Sequence, residues 1–127
     1  MIPRFRAWDG GSLCRMYSPS EVMVGDSGIW IFDEDSEGNE WIVNNDLTLM
    51  QSTGLIDKTG KEIFEGDVLG TKDGLLNGVV NFNTDLGMWT NSLIRYNNFE
   101  RLCNIADSRE IIGNIYSNPE LLEVKDS

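Results

Sequence analysis

The chain has 127 residues, 21 Asp and Glu against 10 Lys and Arg, a formal net charge of −11, and no His. That length fits one domain or two small subdomains sharing a core, and a hydrophobic content of 40% sets the chain apart from a disordered tail. Without His, every His-based triad, general base and zinc site is excluded, and the acidic balance argues against a broad phosphate-binding surface.

The charge is unevenly placed. Residues 1–20 carry net +2, residues 21–70 net −10 and residues 71–127 net −3. The acidic middle is either a solvated face or a face for a basic partner. The longest apolar run, 29–32, is far short of the about 20 residues of a membrane helix, so no membrane contact is expected. The first residues lack the apolar stretch of a signal peptide. Together with two distant thiols, Cys14 and Cys103, this points to a cytoplasmic protein whose cysteines are reduced and buried as small hydrophobes.

Helix signals are scarce, and short apolar stretches between Gly, Asn and Asp clusters predict strands. Residues 2–8 alternate, with Phe5 on one face and Arg4 and Arg6 on the other. The turn cluster 9–12 leads to a return strand at 13–17, a first hairpin. Pro19, after Ser18, can open a short helical turn. Residues 28–32 and 40–43 form a second hairpin around the acidic tip 33–39, and 47–53 is a further strand. Asp57 suits the first position of a type I turn and Gly60 the positive φ after it, so 54–64 is a hairpin bend flanked by Ile56 and Ile63.

From Glu65 the strands become regular. Gly66 permits a sharp turn, and Asp67 can accept backbone N–H bonds ahead of Val68. Strands are predicted at 68–69, 78–82, 88–96, 102–105 and 110–116, with a bend at Gly113. Five short strands in about 60 residues suggest a small closed barrel of the SH3-like kind. Asn118 and Pro119 then start a final helical turn, with Leu121 and Leu122 packing back. The predicted fold is mainly β (α+β). Residues 1–50 form an N-terminal mixed α/β hairpin region, and 51–127 an SH3-like β-barrel ending in a short helical turn.

Chemistry-bearing motifs are few. Asp33, Asp35, Glu37 and Gly38 fall at positions one, three, five and six of an EF-hand loop. Position twelve is Asn44, which cannot supply the bidentate carboxylate, and the flanks read as strands, so no metal site is assigned. No Gly-rich phosphate loop and no nucleophile–base motif is present. No catalytic residue and no cofactor are assigned, and an enzyme is the least supported class. A hydrolase built on a carboxylate pair is the weakest alternative. Arg4, Phe5, Arg6, Trp8 and Arg15 form the basic–aromatic cluster a single strand of nucleic acid could stack on. Trp30, Trp41 and Trp89 sit in strand candidates and read as core.

Three stretches resemble one family. Phe5-Arg6-Ala7-Trp8-Asp9 is similar to the N-terminal signature of YopX-type proteins. So is the run 49–55 leading into Asp57-Lys58-Thr59-Gly60-Lys61-Glu62-Ile63-Phe64-Glu65-Gly66-Asp67-Val68, and so is the ending 110–122. The resemblance spans nearly the whole chain in order, leaving 33–40 and 83–109 without a motif. It implies a phage or prophage protein of the bacterial cytoplasm, with an N-terminal mixed region and a C-terminal SH3-like barrel. It supplies no reaction. Asp57, Gly60, Gly66 and Asp67 match as fold-defining turn residues.

The expected function is that of an accessory protein that binds a host or phage protein and self-associates, with Asp33, Glu34, Asp35, Glu37 and Glu40 as candidate protein-binding residues. In one variant these acids imitate nucleic acid toward a basic host protein. The alternative is a nucleic-acid-binding small barrel that uses Arg4, Arg6, Trp8 and Arg15, weakened by the net charge.

Overall fold

The computed structural model describes residues 4–11, 14–32 and 40–123. The chain divides into two compact units, Met1–Gln51 and Ser52–Ser127. It is mainly β, built of antiparallel sheets. No helix is long and apolar enough to cross a membrane.

In the first unit, β1 (Phe5–Asp9) runs antiparallel to β2 (Arg15–Tyr17) and to the first half of β6 (Thr48–Ile56). Ala7 lies opposite both Tyr17 and Leu49, so one face of β1 enters the core. That core is Ala7, Tyr17, Ile31 and Leu47, with Val22, Ile29 and Leu49 against it. The only helical element among the described residues of this unit is the 3-10 turn Pro19–Glu21. It is closed at its start by the Ser18 N–H donating to Glu21 Oε1 at 3.0 Å. A three-stranded sheet follows, in the order β3 (Val22–Gly25), β4 (Gly28–Phe32), β5 (Trp41–Val43). The second predicted hairpin is thus β4–β5. β3, which follows directly on the 3-10 turn, was not expected.

In the second unit, the latter half of β6 pairs with β7 (Glu62–Phe64) across the turn at Asp57. β8 (Asp67–Gly70), β9 (Gly78–Asn83), β10 (Met88–Leu93), β11 (Phe99–Arg101) and β12 (Glu110–Asn114) form a five-stranded sheet in the order β11-β10-β9-β8-β12. Between β11 and β12 the chain makes α1 (Leu102–Ile105) and a 3-10 turn, Ala106–Ser108, and the last element among the described residues is the 3-10 turn Pro119–Leu122. Ile63, Leu69, Val80, Leu102 and Ala106 form the core, with Leu55, Trp89, Ile105 and Ile111 packed on it. Each fully buried aliphatic chain here contributes about 1.5–3 kcal/mol.

Three expectations are corrected. Residues 102–105 are helical, since Leu102 and Ala106 reach the core at a spacing of four, a helical repeat that a short apolar run conceals. Cys14 and Cys103 are both exposed; Cys14 has a positive φ of 46° just before β2, and Cys103 lies on the outer side of α1. Trp41 is 39% exposed rather than core, because it lies on the face of its sheet opposite Ile31, which enters the core.

Candidate functional site

The turn residues hold the second unit together. Asp57 is 2% exposed, and its Oδ1 accepts the N–H groups of Thr59 and Lys61 and the Thr59 hydroxyl at 2.7–2.9 Å. Its Oδ2 accepts the Ile111 N–H at 2.9 Å. Burial alone would raise this carboxyl, but the four donated bonds outweigh it and hold the pKa at about 2, against an ordinary 3.8. Gly60 closes the turn with φ +91°. Gly66, at φ +87°, donates to the Val80 C=O and accepts from the Ile115 N–H. Asp67 Oδ2 accepts the Phe64 N–H at 2.8 Å. All four positions brace the fold.

The basic cluster splits. Trp8 faces Met16 across the β1–β2 ladder and shares its side of β1 with Arg6, whereas Arg15 pairs with Asp9 and lies on the Ala7 side. Arg6 Nε reaches Met50 Sδ at 3.4 Å. Arg15 bonds Glu21 at 2.7 Å and stacks over the Tyr17 ring at 4.7 Å. Arg4, ahead of β1, lines a half-open cavity of about 250 Å³ with Phe5, Pro19, Val22, Met23 and Val24. The four candidate nucleic-acid residues therefore do not share one face.

Asp33, Glu34, Asp35 and Glu37 lie outside the described residues. Glu40 is exposed and immediately precedes β5. Among the described residues no group of three or more Asp, Glu or Cys is placed to hold a metal ion.

Sequence reasoning missed the outer face of the β3–β4–β5 sheet. Met23 stands opposite Trp30, Trp30 opposite Val43, and Phe32 opposite Trp41, so these five side chains share one face. Met23, Trp41 and Val43 are 50%, 39% and 48% exposed. The Phe32 and Trp41 rings lie 5.5 Å apart. The opposite face enters the core at Val22, Ile29 and Ile31, while Val24 and Ile42 on that face are exposed. None of the residues in these three strands is charged. The signal was there: apolar residues at consecutive positions of 29–32 and 41–43 leave neither face polar. Reading Trp30 and Trp41 as core hid it.

A partly buried ion pair was also missed. Arg109, 8% exposed, meets both oxygens of Glu100 at 2.6 and 2.7 Å. Asn91 Nδ2 adds a bond to Glu100 at 3.3 Å, while Asn91 Oδ1 is buried without a donor.

The model of the YopX protein family matches residues 4–123. Two solved structures are similar to this one over 97% of the chain. Protein EF1440 from Enterococcus faecalis is 29% identical, covered over 99% of its chain, with a TM-score of 0.63. Protein YopX from Bacillus subtilis is 20% identical, covered over 98%, with a TM-score of 0.59. No curated protein matches the chain.

Proposed function

The chain belongs to the YopX protein family, and on that premise we propose that it is a non-enzymatic protein-interaction module acting in the bacterial cytoplasm for a phage or prophage. The observation that carries this reading is the uncharged aromatic face of the β3–β4–β5 sheet on a protein of net charge −11. Exposed apolar surface costs solubility, and a contiguous patch on an otherwise acidic chain suits a contact surface. The two buried carboxylates among the described residues, Asp57 and Asp67, are taken up by backbone N–H groups, which suits bracing rather than proton transfer.

We read the second unit as an SH3-like barrel. The antiparallel order β11-β10-β9-β8-β12, with a 3-10 turn leading into the last strand, supports this. Small barrels of that kind bind proteins through loops and grooves. The acids Asp33, Glu34, Asp35, Glu37 and Glu40 are then a second contact, suited to a basic partner. The nucleic-acid reading is weaker, because Arg15 is turned away from Arg6 and Trp8 and is engaged with Glu21.

Affinity capture from bacterial lysate, with immobilised wild-type protein beside Trp41→Ser/Val43→Ser, tests the reading. We expect specific capture that the double substitution abolishes while the circular dichroism spectrum is unchanged. The reading fails if nothing is captured above background at low or physiological salt. It also fails if fluorescence anisotropy detects tight DNA or RNA binding at ~50 mM salt, where phosphate contacts are least screened.

A further inference from the structure

We infer that the β5 edge is a self-association site, where a second copy of this chain pairs antiparallel with β5 about a two-fold axis at Ile42. The inference rests on the interaction-module reading and names its partner.

The backbone register carries it. The Asn44 N–H donates to the Ile29 C=O, so the polar groups of Asn44 face β4. In an antiparallel ladder this alternates residue by residue. The N–H and C=O groups of Ile42 therefore also face β4, and those of Trp41 and Val43 point outward. Among the described residues β5 is the end of its sheet and pairs with β4 alone. The other end, β3, is different: it lies against β1 and the Pro19–Glu21 turn.

This outward edge is self-complementary. A two-fold axis through Ile42 places Trp41 opposite the second copy's Val43, and Val43 opposite its Trp41. Trp41 and Val43 of each copy then exchange N–H···O=C bonds in pairs, and the two Ile42 residues form the non-hydrogen-bonded pair between them. Glu40 falls opposite Asn44 of the second copy, so no carboxylate faces a carboxylate across the seam. The two three-stranded sheets become one six-stranded sheet, and their aromatic faces merge.

Each copy carries −11, so two copies repel wherever charged surfaces meet. The strands β3, β4 and β5 contain no charged residue, so a second copy's β5 meets no like charge along the paired strands themselves. An apolar edge of this type, with no Lys or Pro in the strand to blunt it, is a template for a further strand.

The test is site-directed cross-linking of the full chain. Cys14 and Cys103 are exposed and are first replaced by Ser. Into that background go Ile42→Cys and, as a control on an exposed position of the second unit, Leu86→Cys. Cα atoms of a non-hydrogen-bonded antiparallel pair lie about 4.5 Å apart, within disulfide reach. We expect mild oxidation to give a covalent dimer from Ile42→Cys and none from Leu86→Cys. Sedimentation of the wild type should show the mass doubling as concentration rises. Val43→Pro removes one outward donor but no bond to β4, and it should lose the doubling while melting like the wild type at concentrations where the wild type is monomeric. Equal cross-linking at both positions, or a wild type that stays monomeric at every concentration, overturns the inference. A monomer whose capture of another protein still depends on Trp41 and Val43 overturns this inference alone and leaves the module reading standing. Loss of both together removes both.

Discussion

Asp57 and Ile111 stand 54 positions apart in the chain, and a single hydrogen bond of 2.9 Å from the Ile111 N–H to Asp57 Oδ2 ties the β6–β7 turn to the last strand of the five-stranded sheet. The other oxygen of the same carboxylate holds the turn itself through Thr59 and Lys61. A local turn and a long-range contact therefore share one side chain. Asp57→Ala leaves three N–H donors without their acceptor, that of the half-buried Ile111 and those of the exposed Thr59 and Lys61. We expect a loss of about 2–4 kcal/mol, read by urea denaturation. Asp57→Asn should lose somewhat less, since its one oxygen can serve the turn or Ile111 but not both. A loss within error of zero for Asp57→Ala would remove the bracing role.

The pH dependence follows from the same bonds. The folded-state pKa of Asp57 is about 2, below the ordinary 3.8. A depressed carboxyl stabilises the fold above its unfolded pKa, and that contribution is lost as pH falls through the folded value. The shift corresponds to about 2 kcal/mol. The gap in stability between wild type and Asp57→Asn should therefore be constant near neutral pH and narrow as pH falls from about 4 toward about 2. A gap of constant width across that range would show that ionisation of Asp57 plays no part.

Glu100 and Arg109 make the second long-lever contact. Glu100 lies on β11 and Arg109 just ahead of β12, so their bidentate pair spans the two end strands of the sheet. The bond from Arg109 holds the Glu100 carboxyl below its ordinary value of 4.5, against the opposing effect of burial. Breaking a largely buried pair leaves an uncompensated charge. Arg109→Met should cost about 3–5 kcal/mol, and Glu100→Leu with Arg109→Met should recover most of it. The wild-type pair should respond little to added salt, because its charges are shielded from the counterion atmosphere. A double variant as unstable as Arg109→Met would show that the two charges are not coupled.

The turn at Asp57 was legible because its chemistry is local: an acceptor, a hydroxyl and a glycine within four positions dictate one backbone path. Its bond to Ile111 was not, because nothing in a sequence marks which distant N–H reaches a carboxylate. The same distinction separates the hairpins, which were read correctly as β1–β2 and β4–β5, from α1. Leu102 and Ile105 fit a strand or one helical turn equally well, and only their arrival at a shared core with Ala106 decides between them. Cys14 shows the limit of composition. Cysteine prefers burial, but a residue forced to φ 46° at the entrance of β2 is placed by the turn and not by its side chain. The outer face of β3–β4–β5 was hidden for a related reason, since apolarity on both faces is the expected mark of a buried strand and here marks an exposed one.

Both thiols should therefore react in the native state. We expect a thiol reagent such as Ellman's to titrate Cys14 and Cys103 without denaturant, at rates close to those in urea. A native protein that reacts only after unfolding would return both residues to the core.

Gly78 and Asn91 are a tightly opposed pair in the second unit. A Cβ on Gly78 would lie 2.5 Å from Asn91 Oδ1 and 2.7 Å from its Cγ, and Asn91 is fully buried on β10, between β9 and β11. Gly78 needs no positive φ, so the constraint is purely one of space. Asn91 cannot swing aside without giving up its bond to Glu100, and its Oδ1 has no donor to hold it elsewhere. Gly78→Ala should cost about 1–3 kcal/mol through overpacking. Asn91→Ala should relieve it, because it removes the atoms that clash and with them an acceptor that has no partner. The double variant should then be more stable than the sum of the single effects by about 1 kcal/mol or more, a coupling that only contacting residues give. Thermal or urea melts of the four proteins decide it. Strict additivity would mean that the sheet yields at Gly78 instead of at Asn91, and that the close approach of the two strands is not what requires glycine there.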